Sequence, residues 1–190
     1  MIFRGRQPEA TVWRRFRSGY DHFTFRRDGD VHEARIVANA ERVLDLLHAL
    51  TAHLTPAVDV AIEDRRTGRA WRVEAAALPD VRDSIARLKL PLSAYGGVEL
   101  AVYTPDDQLT LTPGLELFVY ARSDRWLYIL LGKGLVEQDR LGGSRWDVGA
   151  PLPPAPELES ALELTVEKLG MDPVSGDPAA AAPASEGDAR

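Results

Sequence analysis

The chain contains no cysteine among its 190 residues. This absence excludes disulfide crosslinks, thiolate catalysis and zinc or iron–sulfur centres held by cysteine. The chain also lacks long apolar runs, since none approaches the roughly 18 residues that a membrane span requires. Its first residues carry no apolar core of the kind typical of a secretion signal. We therefore expect a cytoplasmic protein that does not insert into a membrane.

Catalytic and nucleotide-binding motifs are missing as well. No GxSxG, HExxH or GxGxxG pattern occurs, and no internal repeat of fixed period is visible. The segment Leu131–Leu135 (LGKGL) has the glycines and the lysine of a phosphate-binding loop without its GxxxxGK[ST] spacing, so we predict a turn there. We assign no residue of the sequence to catalysis, cofactor binding or metal binding. An enzyme with a site assembled from scattered residues stays open as an alternative.

The four histidines do not form a recognisable metal motif. His48 and His53 are five positions apart on a predicted helix, which turns them to different sides. His22 and His32 could face each other across a predicted hairpin, but no third ligand is fixed beside them. We therefore expect these histidines to be exposed or hydrogen-bonded rather than bound to an ion.

Charge is distributed unevenly along the chain. The formal net charge is −6 and the pI about 5.3, which argues against a non-specific polyanion binder taken whole. Residues 1–27 hold seven arginines against two acidic residues, a net charge of +5, which leaves −11 for the remainder. Either this segment faces a partner, or the remainder of the fold neutralises it.

An alternating pattern near the N-terminus predicts a β-hairpin. Phe23 and Phe25 fall on one face of a strand that begins near Tyr20. The dipeptide Asp28-Gly29 favours a type I′ turn, in which both central positions have positive φ. We predict Val31–Val37 as the returning strand, and an earlier strand near the N-terminus stays open.

Helical periodicity occurs in three segments. Ala40–Leu54 predicts a helix with Asn39 as its N-cap and an end at Thr55-Pro56. A shorter helix follows Pro79-Asp80 and is expected to stop before Pro91. The last helix covers Leu158–Leu169 and is closed by Gly170 in the left-handed conformation.

The remaining segments predict strands. Val58–Ile62 and Trp71–Ala75 alternate and form a second hairpin. A meander with short loops follows, and we expect its most apolar strand, Trp126–Leu131, at the centre of the sheet. A further edge strand is predicted around Val136. The meander consists of Val98–Tyr103, Leu109–Thr112, Leu115–Ala121 and Trp126–Leu131.

These elements predict an α+β fold, a single domain with a mostly antiparallel sheet of about seven to nine strands and three helices. The predicted order is β-β-α-β-β-α-β-β-β-β-α, with the helices on one face of the sheet. We predict a flexible N-terminus over residues 1–8, the domain over 9–170 and a disordered tail over 171–190, which is rich in alanine, proline and acidic residues.

The most distinctive segment is Val12–Arg27, in which arginines alternate with aromatic residues. We expect a non-catalytic protein-binding or structural subunit, such as an adaptor, a chaperone or an immunity protein, that uses this segment and the C-terminal helix. A homodimer is one form that such binding could take. The alternative is single-stranded nucleic acid, with arginines on phosphates and rings on bases. The candidate partner-binding residues are Trp13, Arg14, Arg15, Phe16, Arg17, Arg26 and Arg27.

Overall fold

The computed structural model of the chain describes residues 21–141 and 152–174. They form an α+β fold with one mostly antiparallel sheet of nine strands and four helices, one helix more than predicted. The strands are β1 (His22–Asp28), β2 (Val31–Val37), β3 (Ala57–Asp64), β4 (Arg69–Ala77), β5 (Val98–Tyr103), β6 (Asp107–Leu111), β7 (Leu117–Ala121), β8 (Val136–Glu137) and β9 (Asp172–Pro173). The helices are α1 (Ala40–Thr51), α2 (Leu78–Tyr95), α3 (Arg125–Gly132) and α4 (Pro156–Leu169).

Across the sheet, the strand order is β8-β1-β2-β7-β6-β5-β3-β4-β9. The hairpins β1–β2 and β3–β4 lie on either side of the antiparallel meander β5–β6–β7. The two-residue strands β8 and β9 form the edges of the sheet, and β8 pairs with β1 in parallel. As a result, β1 lies next to an edge strand that covers only its first two residues.

One face of the sheet is apolar and carries the core. A row of paired residues crosses seven strands on this face, and every member is at most 5 % exposed. The helices cover this face, with α1 contacting β6 and α2 contacting β3 and β4. Burial of these side chains is the main favourable term in folding. The row consists of Phe23, Ile36, Leu117, Leu111, Leu100, Ile62 and Trp71.

The turn of the first hairpin differs from the prediction. Asp28 pairs with Val31, so the central residues are Gly29 and Asp30 rather than Asp28 and Gly29. Gly29 has a φ of 58°, whereas Asp30 does not have a positive φ. Positive φ at the first central position alone is typical of a type II′ turn, which also matches the twist of the flanking strands.

Helix α1 begins where the sequence predicted. The side chain of Asn39 accepts a hydrogen bond from the backbone N–H of Arg42 at 2.8 Å, which confirms Asn39 as the N-cap. The helix ends at Thr51 rather than Leu54, and Leu54 is nevertheless buried in the core. The predicted end is three residues too late, because the chain leaves the helix in tight turns in which the N–H groups of His53 and Leu54 donate to the carbonyls of Leu50 and Thr51.

Helix α2 continues through Pro91, so the predicted end before this residue is wrong. Pro91 has no N–H and removes the hydrogen bond to the carbonyl of Arg87, at a cost of about 3 kcal/mol. Leu88, Leu92 and Tyr95, on both sides of the proline, are at most 2 % exposed. Burying three large side chains contributes more than the proline costs, at about 1.5–3 kcal/mol each.

The segment Trp126–Leu131 is helical, so the predicted central strand is wrong. Trp126 and Leu130, four positions apart, are fully buried on one side of α3, while Tyr128 and Leu131 are exposed. A strand would place Trp126 and Tyr128 on the same face. A continuous apolar run shows neither the helical period of 3.6 residues nor the strand period of two clearly. The strand at the centre of the sheet is β6.

Helix α4 has the predicted amphipathic pattern and ends at Gly170, whose left-handed conformation confirms the predicted cap. The fold continues past this point, since Met171 is buried and Asp172–Pro173 pair with β4. The start of the predicted tail is therefore part of the sheet. Residues 1–20 and 175–190, which include the predicted flexible N-terminus and the rest of the tail, lie outside the described residues.

Strand β4 contains a residue with a strained backbone conformation. Ala75 has a φ of 54° and, together with Glu74, forms a β-bulge opposite Asp59. A non-glycine residue in the left-handed region is destabilised by about 1–2 kcal/mol. Glycine avoids this strain, but its greater conformational freedom in the unfolded chain offsets about 0.5–1 kcal/mol of the gain. We expect Ala75→Gly to raise the free energy of unfolding by about 0.5–1 kcal/mol in urea denaturation.

The matched control for this substitution lies in the same strand. Ala70 pairs regularly with Glu63 and does not have a positive φ. Ala70→Gly is expected to lower the free energy of unfolding by roughly 0.5–1 kcal/mol. Equal destabilisation by both glycines would contradict the strain assigned to Ala75.

Candidate binding surface at the β8 edge

The predicted partner-binding residues fall into two groups. One group lies outside the described residues and consists of Trp13, Arg14, Arg15, Phe16 and Arg17. Arg26 and Arg27 lie on β1, where both are exposed. Nη2 of Arg26 donates to the carbonyl of Asp139 at 3.4 Å, and Nε of Arg27 donates to the carbonyl of Gly29 at 2.9 Å. Within the described part of the chain, neither guanidinium forms an ion pair, so both charges remain available to a partner.

The backbone of β1 presents an incompletely covered edge. Asp21 and Phe23 accept hydrogen bonds from the N–H groups of Val136 and Gln138. Alternate residues of a strand direct their backbone groups to the same side, so Phe25 and Arg27 also point away from β2. Within residues 21–141 and 152–174, no backbone group pairs with them there. The second half of β1 is thus an unpaired strand edge.

The aromatic residues of the first hairpin do not form a base-stacking platform. Phe23 is fully buried in the core. Phe25 is half-buried and stacks on the ring of His32, with 5.4 Å between ring centroids. Sequential stacking of bases needs exposed ring faces. In the described half of the arginine-rich segment, the arginines therefore point outward without aromatic partners.

Helix α3 and β8 present an exposed apolar surface at the same edge of the sheet. Tyr128 is 66 % exposed, Leu131 45 % and Val136 48 %. The half-buried Leu127 lies in the same helix. Tyr128 and Leu131 are three positions apart, so they lie on the same side of α3, and we call these two residues the α3 patch. Val136 pairs with His22, next to the pair of Phe23 with Glu137, so its side chain lies on the sheet face opposite the helices and is exposed at the β8 edge. Exposed large apolar side chains are typical of protein–protein contact sites.

The inner side of α3 is fixed by a buried carboxylate. Oδ1 of Asp107 accepts from Nε1 of Trp126 at 2.8 Å, and Oδ2 accepts from Nη2 of Arg125 at 2.5 Å. The end of the helix is held by Arg42, whose Nη2 donates to the carbonyl of Lys133 at 3.0 Å. These contacts orient the helix so that Tyr128 and Leu131 face outward, while Leu127 and Ile129 are half-buried against the core.

A cleft of about 630 Å³ lies beside α3 and is the best candidate for an active site among the described residues. Its ionisable groups come from the end of α1, the β5–β6 turn and the segment after β7. Each oxygen of Asp107 accepts a hydrogen bond from α3, so this carboxylate holds the helix in place. The polar lining consists of His53, Thr55, Thr104, Asp106, Asp107, Arg122, Ser123 and Arg125.

His53 is the remaining group in this cleft that could exchange protons near neutral pH. Burial lowers its pKa, and the positive charges of Lys133 and Arg125 lower it further, so the ring is neutral at pH 7. Among the described residues, no hydroxyl donates to the ring of His53. The pairing of nucleophile and base that covalent catalysis needs is not formed by these residues.

The two histidines of the first hairpin lie apart from each other. His22 pairs with Val37 and His32 with Arg27, so these two histidines do not face each other across the hairpin. Among residues 21–141 and 152–174, no group of three histidine or carboxylate side chains could hold a metal ion. The segment Leu131–Leu135 forms the predicted turn at the end of α3.

On the sheet face opposite the helices, Arg26 borders a second cavity of about 440 Å³. The central contact there is a bidentate ion pair, in which Arg35 donates to both oxygens of Glu116 at 3.0 Å. The ring of Phe118 also lines this cavity. Arg35 is held by Glu116, and Arg26 lies at the rim of the cavity next to Glu33, its cross-strand neighbour on β2, with which it forms no ion pair among the described residues.

The C-terminal helix, the other predicted binding surface, uses its apolar side within the fold. Leu158, Leu162 and Thr165 are buried, and α4 packs against α2. Its outward side carries glutamates and one exposed leucine, Leu164. The isolated leucine does not form a patch, so α4 offers a weaker contact surface than α3.

Sequence analysis missed the α3 patch because the run was assigned to a central strand, where every side chain is buried. A signal was present in the composition of the run. Trp126–Leu131 contains six apolar residues in succession, and a short surface helix can bury only about half of its circumference. The excess of apolar residues over buried positions predicts an exposed patch once the helix is recognised.

The comparison with protein-family models finds no match, and neither do the comparisons with curated proteins and with solved structures. No helix within the described ranges is long and apolar enough to cross a membrane. Arguments about function therefore depend on the surfaces of this chain itself.

Proposed function

We propose that this protein is a non-catalytic subunit that binds another protein through the α3 patch and the adjoining β8 edge. The observation that carries the proposal is the exposure of Tyr128, Leu131 and Val136 on one short helix and the strand that follows it. Hydration of such side chains is unfavourable in the free chain, and a partner that covers them gains the corresponding free energy.

The proposal is favoured over the two alternatives by particular contacts. For an enzyme, the carboxylates of the cleft beside α3 would have to act on a substrate, whereas Asp107 holds Trp126 and Arg125 and Asp106 lies exposed beside Arg122. For a nucleic-acid-binding protein, β1 would have to expose its rings, and Phe23 is in the core. Tyrosine and arginine at the β8 edge match the residues enriched in protein interfaces.

Site-specific photo-crosslinking tests the proposed function. The photoreactive residue p-benzoylphenylalanine is placed at Tyr128 of the full chain, which is expressed in the cells that normally produce it. We expect an adduct of discrete mass after irradiation, because a partner that covers the patch lies within reach of the probe. Denaturing electrophoresis and mass spectrometry identify the adduct, and nuclease treatment shows whether it contains nucleic acid.

The matched control places the same probe at Leu90, which is 64 % exposed on α2, away from the β8 edge. A protein adduct at Tyr128 that is absent at Leu90 supports the proposal, and an adduct of twice the chain mass identifies the partner as a second copy. Indistinguishable labelling at the two positions, or an adduct that nuclease removes, would refute it. Exposed positions of this kind change stability by no more than about 0.5 kcal/mol when substituted, so folding is preserved.

A further inference from the structure

We infer that the unpaired edge of β1 takes up an extended, acidic segment of the partner as an additional strand. This inference deepens the proposed function and rests on it, because it specifies what the bound protein presents to the β8 edge. The edge concerned is Phe25–Asp28, beyond the two residues that β8 covers.

The backbone geometry of this edge is suited to strand addition. Two N–H and two C=O groups, those of Phe25 and Arg27, point outward and have no backbone partner in residues 21–141 and 152–174. An unpaired edge is a template on which an extended peptide forms ladder hydrogen bonds. The short strand β8 already occupies the first half of the same edge, so a bound segment would lie end to end with it.

The side chains beside this edge specify an acidic segment. Arg26 extends on the face opposite the helices, where it lines the second cavity, and Arg27 extends on the helix side. Asp28 follows at the turn, so Phe25–Asp28 carries a net charge of +1. Opposite charges on adjacent strands stabilise pairing, which favours a carboxylate beside Arg26 and an apolar residue beside Phe25.

A second copy of the chain fits this edge poorly. Antiparallel pairing of two β1 edges about a two-fold axis at Arg26 places this residue directly against the same arginine of the other copy. An axis at Arg27 places the two copies of Arg27 against each other in the same way. Like charges directly opposite each other destabilise strand pairing. The arginines thus oppose self-association and leave the edge open to an acidic partner.

Selection from a library of random nonapeptides displayed on phage, against the immobilised full chain, provides the probe. We expect enriched peptides to alternate β-branched and acidic residues. Synthetic copies are then N-methylated at one backbone amide at a time. If the peptide forms a strand, single methylation should weaken binding at least about tenfold at two amides that lie two positions apart, those that donate to the carbonyls of Phe25 and Arg27. Methylation of the amide between them should be tolerated, because only alternate amides face β1.

Variants of the chain test the same contact by changing residues of β1 instead of the peptide. Arg27→Pro removes an outward N–H without breaking the ladder to β2, and Arg27→Gln removes the charge but keeps the N–H. We expect Arg27→Pro to weaken binding about tenfold or more. Arg27→Gln and Arg26→Gln should each weaken it by about two- to fivefold. Fluorescence anisotropy measures all three, and circular dichroism checks that the sheet is retained.

The possible outcomes separate this inference from the proposed function. Strand addition is overturned if no peptide is enriched, if enriched peptides tolerate methylation at every position, or if they bind Arg27→Pro as well as the unmodified chain. Any of these results together with a protein adduct at Tyr128 leaves the proposed function standing. If Tyr128 yields no adduct either, the proposed function fails as well. Should Arg27→Pro not fold, the methylation pattern alone decides.

Discussion

Replacement of Trp126 by alanine is expected to lower the free energy of unfolding by about 3–5 kcal/mol. The side chain is fully buried and is the largest on the inner side of α3. Its removal leaves a cavity and also deprives Oδ1 of Asp107 of the indole N–H. Urea denaturation followed by far-ultraviolet circular dichroism measures the effect, since the substitution removes a fluorescent reporter.

Two further substitutions separate the causes of this loss. Trp126→Phe keeps a ring in the core but removes the N–H that Asp107 accepts, so about 1–3 kcal/mol should be lost. Tyr128→Ala alters an aromatic residue two positions away on the outer side and should change stability by no more than about 0.5 kcal/mol. A strand would bury both aromatic residues on one face. A loss at Tyr128 as large as that at Trp126 would therefore contradict the helix.

Replacement of Arg66 by alanine is expected to cost about 3–5 kcal/mol, because it breaks a buried charge pair. The Arg66 side chain is 4 % exposed, and Oδ1 of Asp64 lies 3.7 Å from its guanidinium. The guanidinium donates to the carbonyls of Tyr95 and Gly96 at 2.6 and 2.7 Å, and to that of Pro153 at 3.1 Å. It therefore joins the β3–β4 turn to the end of α2 and to the segment before α4.

The chemistry of this contact requires arginine. Burial lowers the pKa of Arg66 and the nearby Asp64 carboxylate opposes that shift, so the group stays charged. Gly97 permits the close approach, since a Cβ at this position would lie 2.5 Å from Nη1 of Arg66. Lysine has no planar fork that reaches carbonyls on two sides, so Arg66→Lys should recover less than half of the loss.

The neighbouring Arg65 provides the control for this prediction. Its side chain is 51 % exposed and pairs with Glu63 and Glu99 at the surface. Arg65→Ala should change the free energy of unfolding by at most about 1 kcal/mol. Urea denaturation of the three variants gives the comparison. Similar losses for Arg65→Ala and Arg66→Ala would show that the carbonyl contacts of Arg66 contribute little.

Local sequence patterns predicted the structure correctly where one hydrophobic period or one helix cap dominated. Strand β5 (Val98–Tyr103) has the predicted bounds, and its alternating burial follows the pattern of the sequence. Asn39 caps α1 as expected because its side chain competes with no distant contact. The α+β class follows from the same signals, since hairpins separated by amphipathic helices require an antiparallel sheet with a covered face.

Local signals failed where distant contacts outweigh them. Pro91 has an unfavourable local free energy in a helix, and the burial of Leu88 and Leu92 reverses its effect. Trp126–Leu131 is apolar at every position, so its period does not separate helix from strand. The helix instead depends on distant contacts, which include the burial of Trp126 and Leu130 and the hydrogen bond of Trp126 to Asp107, 19 positions away in the chain.

The candidate surface could also be predicted from the sequence only in part. Arg26 and Arg27 could be selected from the sequence, because arginine in an exposed alternating segment is visible without coordinates. That β1 lies beside the short edge strand β8, with Phe25 and Arg27 left unpaired, could not be predicted. The order of strands depends on pairings between segments far apart in the chain, and each strand is locally compatible with several neighbours.

Elements whose residues interact within a few positions can be predicted from the residues alone: the first helix cap, the alternating strands and the paired hairpins. Three features depend on the packed molecule: which strand forms an edge, that α3 is a helix and that its outer side chains remain exposed. The physical reason is that burial is a property of the assembled fold. A side chain's own sequence neighbours fix its direction, but the elements packed against it determine whether water reaches it.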